Sequence, residues 1–356
     1  MKTAIVMGTR PEIIKLSPVI NQLGKSDTFV IFTGQHYDYN LSLQFIEELG
    51  ISKPDYSMKL SKSNSALQIG EIIIKLSKIL QKLKPDTVVV EGDTNTVLAA
   101  SIASLKSGIP ISHVEAGPRS FDWRMPEEHN RIQVDHISEL LFAPSQHAKR
   151  NLLSEHVHGK IFVTGNTVID AIQMYSDKAS KKSNISIDVE DYILMTLHRA
   201  ENVDDKKTLS SIVKAVMDSN QNVIFPVHPR TFQRLHEFGL YGKLNNSEHV
   251  LLIKPVGYFD MLELMKKCSF IITDSGGIQQ EATSPKIRKK VLVTRKTTDS
   301  PEAVAAGIAK VVGIETSSIL SEIKKTVKDP KIRSKETPYG KGDAAKQIVK
   351  IMQRYF

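Results

Sequence analysis

The feature that most constrains this chain is a rhythm. Short β-branched runs alternate with longer segments of helical period, and the rhythm is played twice. Runs at 3–7, 29–33, 87–90 and 111–114 are each followed by a helical segment, the pattern of a parallel sheet built from right-handed crossovers. After Ile161-Phe162-Val163-Thr164-Gly165-Asn166, residues 176–191 are polar and read as a connector. The alternation then restarts, with runs at 192–197, 222–227, 250–253, 270–273 and 290–294. At 356 residues the chain is also longer than one core usually fills. The expectation is therefore an α/β fold of two doubly wound, Rossmann-like domains, residues 1–165 plus 343–356, and residues 166–342. The last segment, 342–356, is amphipathic through Ala345, Ile348, Val349 and Met352 and is expected to return to the first domain.

Composition narrows the function classes. No apolar run approaches the ~20 residues of a membrane span, and Met1 leads directly into the first strand, so neither membrane insertion nor secretion is expected and the cytoplasm is the expected compartment. The single cysteine, Cys268, cannot form an internal disulfide, and no Cys/His spacing resembles a zinc site. A formal charge of +9 suits any anion. The densest basic stretch, Lys286-Ile287-Arg288-Lys289-Lys290, has no interleaved aromatics, so a small phosphorylated substrate is expected and a nucleic-acid partner is not.

In parallel sheets ligands bind beyond the carboxyl ends of the strands, so the residues that end each apolar run carry the information. In the first domain these are Gly8-Thr9-Arg10-Pro11-Glu12, Glu91-Gly92-Asp93-Thr94 and His113-Val114-Glu115-Ala116-Gly117. In the second they are Leu197-His198-Arg199, Val227-His228-Pro229-Arg230 and Thr273-Asp274-Ser275-Gly276-Gly277. Acids crowd one edge, and histidines and small donors the other. Each has a plain structural role available: Asp93 or Thr94 can simply cap the next helix. Their joint placement is what points to chemistry.

Ser275-Gly276-Gly277 opens a helix after a buried strand, where free N–H groups and the helix dipole suit a diphosphate. Arg10 and Lys15 follow the first strand and are placed to meet an anion, with Pro11 near the start of the helix. The turn is neither GxGxxG nor a P-loop, which speaks against a nicotinamide cofactor. Pro126-Glu127-Glu128-His129-Asn130-Arg131 reads as a helix start on which Glu127 and Arg131 share a face. Near a helix N-terminus Glu127 should stay ionised, as a base requires.

Together with Gly165-Asn166-Thr167, these motifs resemble, in order and spacing, the non-hydrolysing UDP-N-acetylglucosamine 2-epimerases over nearly the whole chain. The resemblance implies the two-domain architecture of the type B glycosyltransferases with the active site in the interdomain cleft. It also implies UDP-GlcNAc as substrate, UDP-ManNAc as product, no metal or other cofactor, and a homodimer. The implied route removes the C2 proton as UDP leaves C1, giving 2-acetamidoglucal and UDP, which recombine with the proton returned on the other face. Asp93, Glu115 and Glu127 are the matching carboxylates, with their division between the two faces left open. Arg131 would orient the acids or the substrate, and His198 would sit near the departing phosphate. For UDP the matching residues are Arg10 and Lys15, then Ser275, Gly276 and Gly277 for phosphate and Glu281 for the ribose. Tyr258 and Met261 would lie near uracil, although Tyr258 reads equally well as core.

The chain departs from that pattern in places. It reads Asp299-Ser300-Pro301-Glu302 where the family has Arg-Pro-Glu, leaving Arg295 or Lys296 as substitutes. Gln35 and His36 match the family's second, activating UDP-GlcNAc site, but Asp38 and Glu71 do not, so activation is expected to be absent or altered. Two rivals share the chemistry: a 2-epimerase of a UDP-2,3-diacetamido-glucuronic acid, which would share Ser120-Phe121-Asp122, and a hydrolysing epimerase releasing ManNAc and UDP. A retaining glycosyltransferase or a silent nucleotide-sugar binder would share the fold.

Overall fold

The computed structural model describes residues 1–35, 45–61 and 64–356. The first sheet comprises β1 (Thr3–Met7), β2 (Thr28–Phe32), β3 (Tyr56–Ser57), β4 (Thr87–Glu91), β5 (Ile111–Val114), β6 (Leu140–Ala143) and β7 (Lys160–Val163). Its order is β3-β2-β1-β4-β5-β6-β7, and its pairings are parallel. The second comprises β8 (Ile193–Thr196), β9 (Val223–Pro226), β10 (Val250–Ile253), β11 (Phe270–Thr273), β12 (Val291–Val293) and β13 (Ala309–Val311). Its order is β10-β9-β8-β11-β12-β13, again parallel. These are the doubly wound α/β sheets that the alternation implies.

The strands are apolar on both faces because helices cover both: Val88, Val89 and Val90 of β4 are all fully buried. Between them the helix Ser65–Leu83, capped by the Asn64 side chain, buries Ile72, Leu76, Leu80 and Leu83 as one stripe. Three strands escape the sequence reading. β6 is Leu-Leu-Phe-Ala, without β-branched residues, β13 is the mixed Ala-Lys-Val, and β3 is only two residues long. The expected polar connector at 176–191 also needs correction, because the helix Thr167–Lys182 occupies its first part. The first half of that helix is broadly buried through Val168, Ile169, Ala171, Ile172 and Tyr175, and from residue 176 onward the burial narrows to Ser176 and Ala179.

The chain divides into two compact units, Met1–Ala171 with Tyr339–Phe356, and Ile172–Pro338. The closing helix Ala344–Tyr355 does return to the first unit and packs on the helix Arg10–Leu23, burying Ala345, Ile348, Val349 and Met352. Asp170 caps its start by accepting from the amides of Ala344 and Ala345 at 3.2 and 2.9 Å.

Each sheet has a point where the winding reverses, between β1 and β4 in the first and between β8 and β11 in the second. At such points the loops leave the strands in opposite directions and open space at the carboxyl ends. Gly8 follows β1 and Asp93 follows β4; His198 follows β8 and Asp274 follows β11. The chemistry-bearing motifs thus fall at the two switch points. Among the described residues no helix is long and apolar enough to cross a membrane, and no cluster of His, Cys, Asp or Glu is arranged to hold a metal ion.

Candidate active site

At the first switch point acids surround a cation. Lys15, expected to meet an anion, extends from the helix Arg10–Leu23 to Glu115 Oε2 at 2.6 Å and Glu91 Oε1 at 3.0 Å. Asn166 Nδ2 donates to the same Glu115 oxygen at 2.7 Å. Glu115 lies just past β5 with φ of +65°, a left-handed conformation that a non-glycine residue holds only under constraint. Glu91, the last residue of β4, is buried, and burial pushes its carboxyl well above the usual range despite Lys15, with Glu115 adding to the rise.

Beside them Glu12 is wholly buried. It accepts from the Gly8 amide at 2.6 Å, the Thr9 hydroxyl at 2.7 Å and the Thr94 hydroxyl at 2.8 Å. Burial still prevails over these bonds and raises Glu12 to about 7. Asp93 is also pushed up, by burial first, while Arg131 opposes the rise and Glu115 and Glu127 add to it.

The helix Pro126–Ile137 holds Asp93 from one side. Arg131 Nη2 binds the Asp93 carboxylate, and Asn130 Nδ2 donates to the Asp93 carbonyl at 2.9 Å. Arg131 also pairs with Glu128, three residues back at 3.3 Å, whereas Glu127, on the helix face expected to meet Arg131, is exposed. From the other side His113 supports the turn. Its Nε2 is 2.9 Å from the Gly92 carbonyl and its Nδ1 is 2.7 Å from Asp135. Asp135 in turn binds Arg119 at 2.7 Å, and Arg119 binds Glu155 at 2.6 Å. Burial pushes Asp135 up, but His113 and Arg119 outweigh it and hold the carboxyl below its ordinary value.

At the second switch point donors surround an acid. Asp274 is fully buried, and its carboxylate accepts from the His198 amide at 3.1 Å, the Arg199 amide at 3.0 Å and Asn202 Nδ2 at 3.1 Å. His198 Nδ1 lies 3.2 Å from the same group. Burial acts to raise Asp274, but these donors, His198 foremost, leave it below the usual carboxylate range. The ring of His198, fixed in this way, is partly exposed and lies 5.8 Å from that of His228.

Ser275 caps the short helix Gly276–Glu281 through its side chain. A Cβ at Gly276 would sit 2.5 Å from Asp299 Oδ1, whereas one at Gly277 would meet only Ser275 Oγ, at 3.8 Å. Asp299 is held between Arg199 and Arg295, each at 3.3 Å, so Arg295 is taken up by an acid of the second unit. Ser300 is buried beneath Gly276, donating to its carbonyl at 3.4 Å.

The remaining sequence candidates are more scattered. Arg10 is exposed, with its guanidinium over the Phe45 ring at 5.6 Å. Tyr258 and Met261 are half-buried on the helix Tyr258–Lys267, and Tyr258 meets the Tyr175 ring edge-on at 6.2 Å. Its hydroxyl is raised well above its ordinary value, by burial first and then by the charge of Glu281, itself half-buried at the end of the helix it shares with Gly276 and Gly277. Gln35 accepts from Thr96 at 2.8 Å, and Glu71 is tied to Lys75 at 2.6 Å. His36 and Asp38 lie outside the described residues.

Glu12, Glu91, Glu128 and Asp274 are site groups that the sequence reading quotes without giving a role. A signal existed for Glu12. It shares the stripe of Leu16 and Val19, at i+4 and i+7, and an acid on a buried stripe has to be satisfied by something.

Residues 20–353 match the family model for UDP-N-acetylglucosamine 2-epimerase. A UDP-N-acetylglucosamine 2-epimerase of Methanocaldococcus jannaschii is 43% identical over 365 residues, covering 99% of both chains. One of Methanococcus maripaludis is 43% identical over 362 residues, covering 99% of this chain and 98% of its own. The crystal structure of the M. jannaschii UDP-GlcNAc 2-epimerase in complex with UDP-GlcNAc and UDP matches with a TM-score of 0.90 at 42% identity, over 99% of this chain and 100% of that one.

Proposed function

The chain belongs to the UDP-N-acetylglucosamine 2-epimerase family, and from that premise we propose how its residues divide the work of inverting C2. The enzyme is an isomerase that interconverts UDP-GlcNAc and UDP-ManNAc by eliminating UDP and adding it back to 2-acetamidoglucal. The observation that carries the assignment of roles is the packing of Glu91 and Glu115 around one ammonium, Lys15, at the first switch point, with Asp93 following on β4.

The C2 proton is weakly acidic, so its removal needs a base of raised proton affinity, and the bond to UDP must break as charge develops. Burial supplies the first condition by pushing the carboxyl of Asp93 upward. Asp93 and Glu115, with Glu127 at the rim, serve the two faces of C2: one accepts the proton and another returns one to the opposite face. Arg131 orients Asp93, and Lys15 with Asn166 fixes Glu115.

In the second unit His198 meets the departing phosphate. Ser275, Gly276 and Gly277 offer it backbone and hydroxyl donors, and Glu281 takes the ribose hydroxyls. Tyr258 and Met261 flank uracil. The protein is further proposed to act as a homodimer in the cytoplasm, a reading supported by the family resemblance.

Relatives at 43% identity carry the UDP-N-acetylglucosamine 2-epimerase name, and the rival substrates are not favoured. Chromatography of UDP-GlcNAc incubated with the purified protein tests the reading. UDP-ManNAc without free sugar is expected; release of ManNAc with UDP would make it a hydrolysing enzyme, and turnover of a diacetamido-uronate alone would change the substrate.

A further inference from the structure

The helix Pro126–Ile137 begins with adjacent acids in opposite surroundings. Glu127 is exposed, while Glu128 is fully buried. The Glu128 carboxylate accepts from the Ser120 amide at 2.9 Å, the Ser120 hydroxyl at 2.8 Å and the Phe121 amide at 2.9 Å. It also pairs with Arg131 Nη1 at 3.3 Å. Arg131 binds the Asp93 carboxylate through its other terminal nitrogen. One carboxylate therefore joins the segment 120–124 to the guanidinium that orients Asp93.

The segment is held in a conformation it would not adopt freely. Phe121 has φ of +56°, in the left-handed region, and both Phe121 and Trp123 stand out from the surface, 70% and 63% exposed. Asp122 binds Arg124 at 2.7 Å within the segment, and the Trp123 ring lies 5.0 Å from His129 on the following helix. The Glu128 carboxylate ties the segment down by accepting from two consecutive amides, and His129 Nε2 adds a second tie, 2.9 Å from the Trp123 carbonyl. An amide side chain cannot replace the carboxylate. Glutamine offers one oxygen, and its NH2 group would face donors.

We propose that Glu128 is a positioning residue for Asp93, acting through Arg131, so that seating of the segment 120–124 sets how well Asp93 serves the reaction. The proposal rests on the assignment of Asp93 as an acid/base group. Glu128 itself is spent on the segment and on Arg131, so its effect should appear in turnover, with substrate affinity little changed.

The test is a double-mutant cycle of E128Q with R131K, read by kcat and KM and by the emission of Trp123, the single tryptophan of the chain. E128Q should lower kcat by about 30-fold with KM within about threefold, and in the R131K background it should cost almost nothing further. Trp123 emission should shift to the red in E128Q without substrate, as the segment loosens. Multiplicative losses from the two substitutions, or full turnover in E128Q, would overturn the proposal. If E128Q does not fold, S120A removes one donor while leaving the acid, and should show a loss of about threefold that likewise vanishes in R131K. A wild-type protein that folds but leaves UDP-GlcNAc unchanged would instead count against the assigned activity, with the Trp123 shift still reporting on the clamp.

Discussion

Glu91 and Asp274 are both buried carboxylates at the switch point of a parallel sheet, yet they are driven in opposite directions. Glu91 shares one ammonium with Glu115 and is pushed well above the ordinary carboxylate range. Asp274 takes the amides of His198 and Arg199, the amide group of Asn202 and the His198 ring, and is held below that range. Burial is equal; the supply of donors decides. The first unit therefore keeps acids poised to hold protons, with Glu12 raised to about 7, and the second keeps an ionised acid whose task is to fix a histidine. On the proposed division of roles, the first edge moves protons and the second receives the departing anion.

The contrast can be broken most severely at Glu115. E115Q should lower kcat about a thousandfold with KM within about threefold, because an acid/base group acts in the transition state and little in binding. Steady-state kinetics with UDP titrated by calorimetry decides it. Weakened UDP binding in this variant would erase the division between the two edges.

Removing the cation comes next. Lys15→Met leaves Glu91 and Glu115 facing each other without the ammonium, and should cost about 3 to 4 kcal/mol of stability in urea unfolding at neutral pH, less at acid pH where the carboxyls protonate. A stability loss independent of pH would mean that Lys15 matters through packing alone.

Glu12 sharpens the argument about burial. Its folded value of about 7 exceeds the ordinary 4.5, so its favourable contribution is fully present below about pH 4.5 and is lost as pH rises through about 7. The wild type should therefore lose on the order of 3 kcal/mol relative to E12Q across that window. Parallel stability curves for the two proteins would show that Glu12 is ionised without cost.

The smallest effects separate two neighbouring glycines. G277A makes only an ordinary contact with Ser275 Oγ, at 3.8 Å, and should weaken UDP binding by about tenfold with the melting temperature unchanged. G276A drives a methyl against Asp299, so it should also loosen the Arg199 and Arg295 pairs and lower the melting temperature by a few degrees, roughly 1 kcal/mol. Equal behaviour of the two would place the anion elsewhere.

Much of this arrangement is legible in the sequence, for a definite reason. Parallel strands buried on both faces must be apolar, so their ends stand out as the first polar residues, and Asp93, Glu115, His198 and Ser275 all appear in this way. The ends of β6 and β13 do not, because Leu-Leu-Phe-Ala has no β-branched residue and Ala-Lys-Val is a three-residue run broken by a lysine. Pairing is less legible than position. Spacing puts Arg131 on a face with Glu127, but Arg131 pairs with Glu128, which the backbone of Ser120 and Phe121 draws inward. Likewise nothing local to Lys15 reveals that Glu91 and Glu115, from β4 and the end of β5, will close on it. Such contacts are set by the order of strands in the sheet.

The central claim is that the carboxylates of the first unit exchange the C2 hydrogen while UDP leaves and returns. Proton NMR of UDP-GlcNAc with the enzyme in deuterated water measures it directly. The account predicts UDP-ManNAc and recovered UDP-GlcNAc both carrying deuterium at C2, with the exchange lost in E115Q. UDP-ManNAc formed with its C2 hydrogen retained would contradict it.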